Sequence, residues 1–484
     1  MINSTFLLIR DTCFKPFITE NHYLSGFNKY DKNFPMKFFK KTIYWLFAVG
    51  LLFYIMSAIY SRLPIITGYA AKNMCSCVFV ADREAAMVEQ EDLNFFLVQY
   101  AKVNVDEKRK TATATVLGLA KETAVFREGL GCTLITDDTN EEELRKSSLL
   151  LSKPTKSHLD TISWPVGNLL NSSLPKSIDS DKLNRAVQKA FDSPDKKTRA
   201  VVVVYKDKLV AEKYAEGFDE NTPQLGWSMT KSIINALTGI MVKNGKLTLE
   251  GSVPIKEWSN DDRSFINLKN LLQMSSGLDW EENYNDISNA TRMLYLEGDQ
   301  YNYAIGNKLI GGIHPGEEWY YSSGTTNIIS GLIKNQFPNT QAYWHFHYDS
   351  LFHKIGMYSA VMEPDPSGTF IGSSYCYATP RDWAKFGMLY LNDGVWMDER
   401  ILPEGWVEFT KSPVNNSGKE YGAQFWLNAG SKLPDVPKDV YFCDGFQGQR
   451  VFIIPSHEMV VVRLGISNNM DFNEFLVEIL DALK

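Results

Sequence analysis

The feature that most constrains this chain is a run of 20 residues without a charge, Thr42 to Ser61 (TIYWLFAVGLLFYIMSAIYS). Coiled as a helix, it is about 30 Å long, the thickness of a bilayer's hydrocarbon core. Tyr44, Trp45 and Tyr60 stand near its ends, where interfacial aromatics sit. Lys37, Lys40 and Lys41 precede it. The positive-inside rule then assigns residues 1–41 to the cytoplasm and the chain after about 62 to the other side. The run exceeds the 7–15 apolar residues of a cleaved leader, and no clean small-x-small site follows, which favours an anchor. Met36-Lys37-Phe38-Phe39-Lys40-Lys41 is itself a complete n-region, so residues 1–35 read equally as an overlong start. The expected location is a bacterial-type inner membrane, crossed once, with the bulk of the chain periplasmic or extracellular.

That bulk is globular. Of 484 residues, 44% are hydrophobic and 22% charged, which excludes extensive disorder. The net charge of −7 leaves no basic excess to neutralise phosphates, so nucleic acid is not an expected partner. Cys75, Cys77, Cys132, Cys376 and Cys443 follow the apolar run and would face an oxidising space. Their odd number leaves one free or paired between molecules, and the spacing alone does not choose a partner. Cys75-Ser76-Cys77 lacks the second Cys or His pair of a zinc site.

Four segments follow from composition and pattern: 1–41, the membrane run 42–61, an extension and connector over 62–175, and a main domain over 176–484. In the extension, Thr111 to Val116 alternates with period two and pairs as a hairpin with Thr123 to Phe126. The charged stretch 137–148 suits a loop or exposed helix, and 152–200 a connector with one helix near Leu183 to Phe191. In the main domain, Ala200 to Tyr205 and Leu209 to Tyr214 flank a Lys-Asp-Lys turn as buried strands. Helical patterns fill 229–410, including Thr230 to Val242 and Trp383 to Leu391. Strands return at Ala423 to Leu427, Arg450 to Ile454 and Met459 to Leu464, before a helix over Phe472 to Leu483. The expected fold is α/β in the α+β sense: one antiparallel sheet built from both ends of the domain, flanked by helices, with a helical region inserted.

Ser228-Met229-Thr230-Lys231 opens a helix with apolar Ile233, Ile234, Leu237, Ile240 and Met241. Positions i and i+3 share a helix face, so Lys231 can reach Ser228. A serine needs a base, and lysine serves if burial lowers its pKa. The alternative is a capping serine beside a solvated lysine. Two other S-x-x-K copies, Ser173 to Lys176 and Ser193 to Lys196, contain proline and cannot present both groups on one helix face.

Three further segments stand in a fixed order: Asn270 to Leu278 (NLLQMSSGL), Gly316 to Asn327 (GEEWYYSSGTTN) and Asp444 to Gln449 (DGFQGQ). With Ser228 and Lys231, they resemble the serine hydrolases of the penicillin-recognising superfamily. The closer look-alikes are class C β-lactamases, related esterases, DD-peptidases and especially 6-aminohexanoate-dimer hydrolases. The resemblance covers roughly 199–484. It implies that Ser228 is acylated, Lys231 is its base and Tyr321 relays a proton to the leaving group. It also implies an oxyanion hole from the backbone N–H groups of Ser228 and Gln449. Gly448 matches the third-motif glycine beside the cleft. Tyr284 matches a loop tyrosine that contacts the leaving amine. Ser323, Phe446 and Gln447 complete the expected substrate-binding set. No metal or organic cofactor is implied.

Two departures bear on the substrate. Ser323 stands where the lactamases have Asn, and Phe446-Gln447-Gly448 replaces a motif that begins with Lys or His. Losing that cation removes the usual clamp for a substrate carboxylate. Arg450 does not restore it, because on a strand its side chain faces away from that of Gln449. The expectation is therefore hydrolysis of an ester or small linear amide. The alternatives are a β-lactamase or DD-peptidase, and a non-catalytic sensor or binding protein that keeps the fold. His345-Phe346-His347 reads as packing, Tyr390-Leu391-Asn392 as a helix stop, and Tyr375 equally as cleft or core.

Overall fold

The structure is a computed structural model that describes residues 36–136, 139–170 and 173–484. The readings placed on 1–35 lie outside the described residues. The chain divides into two units, one up to Ala58 and one from Ile59 to Lys484.

The described part of the first unit is helical, residues 36–58 of the helix Met36–Tyr60. Trp45, Phe47, Phe53 and Tyr54 are among the large apolar side chains exposed on it. From Lys41 onward, the sequence is long and apolar enough to cross a membrane.

The second unit is built on a six-stranded antiparallel sheet. Its order is Trp426–Leu427, Tyr441–Gly445, Gln449–Ile454, Met459–Gly465, Thr198–Tyr205 and Lys208–Tyr214. The C-terminal strands and the first strands of the domain thus meet at the centre, with Val462 opposite Val202. Both faces are covered, which explains why Ala200 to Val204 is continuously apolar rather than alternating. One face carries Val201, Val203, Phe452 and Val461 against the helices Ser180–Lys189 and Phe472–Leu480. The other carries Val202, Val451 and Val462 into the main core, with helix Pro380–Leu391.

The edge strand is shorter than the expected Ala423 to Leu427. Gln424 has φ 59°. Its side-chain amide donates to the carbonyls of Leu271 and Leu272 and accepts from Thr326. These bonds turn the backbone out of the ladder, and only Trp426 and Leu427 pair.

Residues 62–175 join the same compact unit. Thr111–Val116 and Leu119–Arg127 form the expected hairpin inside a four-stranded antiparallel sheet that also holds Lys102–Asp106 and Gly131–Leu134. Small residues on its inner face, Ala112, Ala114 and Ala124, are fully buried and leave room for the helix Leu63–Phe79. A disulfide joins Cys75 on that helix to Cys132 on the sheet. Cys77, Cys376 and Cys443 are free and buried. Glu363, fully buried, accepts from Lys72, from the Ser76 hydroxyl at 2.8 Å and from the Cys132 backbone N–H at 2.6 Å. One carboxylate therefore pins helix, sheet and main domain together.

Candidate active site

Ser228 lies in a short 3-10 turn, Trp227–Met229, one turn ahead of the α-helix Thr230–Lys243. The turn is fixed from both sides. The Gly226 N–H donates to the Cys376 carbonyl at 2.9 Å. Trp227 has φ 48°, a left-handed backbone that a bulky side chain rarely adopts. Its ring is held by Tyr69, stacked at 5.9 Å, and by Tyr375 and Phe446, each at 5.7 Å. Strain of this kind persists where surrounding packing enforces it. The end of strand Tyr441–Gly445 comes so close that a Cβ on Gly445 would lie 2.1 Å from the Gly226 carbonyl. Only glycine fits there.

The helix buries Lys231, which is 1% exposed. Its Nζ lies 3.0 Å from Ser228 Oγ, 3.0 Å from Ser323 Oγ and 2.9 Å from the Ser373 carbonyl. Ser228 is thus bonded to Lys231 and does not cap the helix. Burial lowers the Lys231 pKa to about 8, against the opposing charges of Glu282 and Asp444. A neutral amine has two N–H groups and one lone pair. The Ser373 carbonyl can only accept, so it takes one N–H. Ser323 donates its own proton at 2.5 Å to Glu282 Oε1 and so accepts the other. The lone pair of Lys231 is left facing Ser228.

Glu282, which the sequence reading did not select, organises the far side. Its Oε1 accepts from Ser323 and from the Tyr284 hydroxyl at 2.7 Å. Its Oε2 accepts from the Ser323 N–H at 2.9 Å and Trp280 Nε1 at 2.5 Å. Tyr284 Oη also lies 3.1 Å from Ser323 Oγ. The signal for Glu282 was only its place beside Tyr284 in a polar stretch. Tyr321 presents its ring 5.0 Å from Lys231 Nζ, and its hydroxyl bonds toward Ser228. Burial, reinforced by Glu282, raises its pKa well above the usual tyrosine value.

The third segment sits beside the serine turn. Phe446 packs on Trp227 and shares a cavity with Ser228 and Tyr284. Gln447, at φ 61°, lines a separate small cavity with Arg199 and Gln449. Gly448, at φ 79°, has no room for a Cβ, which would meet Arg463 Nη1 at 2.6 Å. Arg463 holds this turn by donating to the carbonyls of Gln447 and Gly448. The Gln449 side chain is tied to the backbone of Gly465. Arg450 bonds Asp444 at 2.7 Å.

The two histidines flagged in sequence are not ligands together. His347 is buried, bonds the Tyr343 carbonyl at 2.9 Å and has its pKa lowered by burial to about 3. No cluster of metal-ligating side chains occurs among the described residues. Tyr375 is core, bonded to Tyr295, and Tyr390 ends its helix with its hydroxyl on Asn235.

Residues 183–480 match the family profile described as Beta-lactamase. The chain belongs to the beta-lactamase family. Its place in the penicillin-recognising serine hydrolase superfamily is thereby shown. The 6-aminohexanoate-dimer hydrolase of Paenarthrobacter ureafaciens is 22% identical over 295 residues, covering 55% of this chain and 72% of that protein. Among solved structures, a candidate 6-aminohexanoate-dimer hydrolase of Bacillus anthracis aligns with TM-score 0.51 at 22% identity, covering 65% and 86% of the two chains. A penicillin-binding protein homologue of Caulobacter crescentus aligns with TM-score 0.51 at 12% identity, covering 65% and 99%. These likenesses carry the fold. The family match begins at 183, so the helix Leu63–Phe79 and its sheet lie outside it.

Proposed function

We propose that this beta-lactamase family member is a membrane-anchored serine hydrolase that cleaves an ester or small linear amide through an acyl-enzyme on Ser228. One observation carries the reading: a buried Lys231, bonded to Ser323 Oγ and the Ser373 carbonyl, lies 3.0 Å from Ser228 Oγ, so its neutral form turns its lone pair to that hydroxyl. A pKa of about 8 leaves roughly a tenth of the lysine neutral at pH 7.

Ser228 Oγ attacks the carbonyl carbon while its proton moves to Lys231. The oxyanion forms against the backbone N–H groups of Ser228 and Gln449; such a donor is typically worth about 10²–10³ in rate. As the carbonyl–heteroatom bond breaks, Tyr321 gives its proton to the leaving alcohol or amine and takes the Ser228 proton from Lys231 in its place, so the phenolate that burial disfavours does not persist and Lys231 is neutral again. A water then attacks the acyl carbon, gives its proton to the same pair, and releases the acid and Ser228. Tyr284, held on Glu282, is placed to meet the leaving group. The exposed apolar side chains of Met36–Tyr60 support the anchor.

The test is labelling of the full chain with an ethyl fluorophosphonate probe, with the modified peptide located by mass spectrometry. Label on Ser228, lost in Ser228→Ala, is expected. A folded protein that takes no label refutes the acyl-enzyme. Acylation by esters without turnover would instead favour a sensor.

A further inference from the structure

The cavity that opens on Ser228 is walled by hydrocarbon. Ile65, Ile66 and Tyr69 of helix Leu63–Phe79, Phe95 and Val98 of the following loop, and Leu294 line it beside Trp227. Eight of the nineteen lining residues come from 62–98, which the family match does not include. Ile65, Ile66, Tyr69 and Phe95 are only partly buried, so their free faces border open space rather than core. Charged groups are confined to Arg62 and Asp286, which neutralise each other at 2.8 Å.

The wall is also held in place. The Cys75–Cys132 disulfide fixes the helix to its sheet, and the Lys72–Glu363 pair fixes it to the main domain. Buried Arg199 bonds Glu91 at 2.6 Å and Asp92 at 2.8 Å, which ties the segment before Phe95 to the first strand of the central sheet. An apolar cavity held open at a polar reaction centre gains nothing for folding. Apolar surface left uncovered there is surface for a ligand.

We infer that this cavity binds the hydrocarbon chain of the substrate, so the hydrolysed ester or amide is an aliphatic, lipid-like one. This rests on the acyl-enzyme reading above. The free volume is about 250 Å³. At about 30 Å³ per methylene-sized group, the share of a liquid water, that accommodates roughly eight carbons.

The full chain, reconstituted in lipid nanodiscs, is assayed with p-nitrophenyl alkanoates from acetate to dodecanoate, and with acetates of alcohols of matching length. The two series distinguish a chain on the acyl side from one on the alcohol side. In one of them, kcat/KM is expected to rise about two- to fourfold per added carbon and to level near eight carbons. Ile65→Trp, which fills the cavity, is expected to lower the octyl-to-acetyl ratio of kcat/KM at least tenfold. Leu97 also lines the cavity and is partly exposed, so Leu97→Asp should do the same without threatening the fold. Partition into the disc acts equally on wild type and variants, so a rise shared by all three overturns the inference. So does a flat profile in both series. In either case, label on Ser228 from the ethyl fluorophosphonate leaves the hydrolase reading standing. Absence of that label removes both.

Discussion

Glu282→Gln separates a catalytic lysine from a merely buried one. Lys231 has its pKa lowered to about 8 by burial, and Glu282 opposes that fall. Ser323 Oγ lies 3.0 Å from the amine and 2.5 Å from Glu282 Oε1, so the two charged atoms are no more than 5.5 Å apart. At an effective dielectric of 20, unit charges at that separation attract by about 3 kcal/mol. That is about two pK units, and solvent near Tyr284 reduces the expected shift to between about one and two. Glutamine keeps the size and still accepts from the Ser323 and Trp280 N–H groups. Its amide nitrogen meets the hydroxyls of Ser323 and Tyr284, which can accept as well as donate. The assay is kcat/KM for a p-nitrophenyl ester between pH 5 and 10, which reports free-enzyme ionisations. In wild type, the rate should fall tenfold per unit below about pH 8, as Lys231 is protonated. In the variant, this limb should lie near pH 6–7, with a lower plateau because a less basic amine is a weaker proton acceptor. A limb that stays at 8, or moves up, refutes Lys231 as the base.

Tyr321→Phe should lower kcat/KM by about 10²–10⁴ while fluorophosphonate label on Ser228 persists, because the lost group serves the leaving atom rather than the nucleophile. Wild type should gain about 3 kcal/mol of stability over Lys231→Met between pH 7 and 10.5, measured by denaturant unfolding. Below pH 8, folded and unfolded lysine are both charged and the fold carries the full burial penalty, which disappears as the folded lysine loses its proton. Cys75→Ala with Cys132→Ala opens a 57-residue loop and should cost about 4 kcal/mol, read in the same assay against reductant-treated wild type. Lys72→Met leaves the buried Glu363 carboxylate without its cation and should cost about 3–5 kcal/mol at neutral pH.

Local rules made several elements legible. Ala200 to Tyr205 is too apolar for a half-exposed strand, and the structure buries all eight residues of Thr198–Tyr205. The three-residue spacing of Ser228 and Lys231 put them on one face, where they meet at 3.0 Å. What escaped depends on residues far apart in the chain. Glu282 becomes part of the site only because its loop folds onto Ser323, 41 positions later. No pattern marks an isolated glutamate for that role. The strained Trp227 is equally invisible, since its φ is enforced by Tyr69, Tyr375 and Phe446 from three other segments. The pairing of Cys75 with Cys132 was open from spacing and is decided by the helix crossing its sheet.

The third segment and the N-terminal wall together set what the site selects. A motif that begins with a cation holds an anionic substrate by charge, and here Phe446 occupies that position against Trp227. The Arg450 guanidinium, on the strand that follows, is committed to Asp444, to the Gly445 carbonyl and to the Gln449 carbonyl. It sits largely buried between Phe442 and Phe472, where burial lowers its own pKa. Freeing it for a substrate carboxylate would strand Asp444, whose pKa burial already raises. Loss of the clamp and gain of the Ile65, Ile66 and Phe95 wall therefore act in one direction. A carboxylate entering this cavity gives up water and meets only Arg62, already paired with Asp286, whereas each methylene entering it gains about 0.8 kcal/mol. Discrimination against acidic substrates thus follows from desolvation and from the commitment of Arg62 to Asp286. Restoring a cation by Phe446→Lys should recover carboxylate binding only at the expense of the chain-length preference.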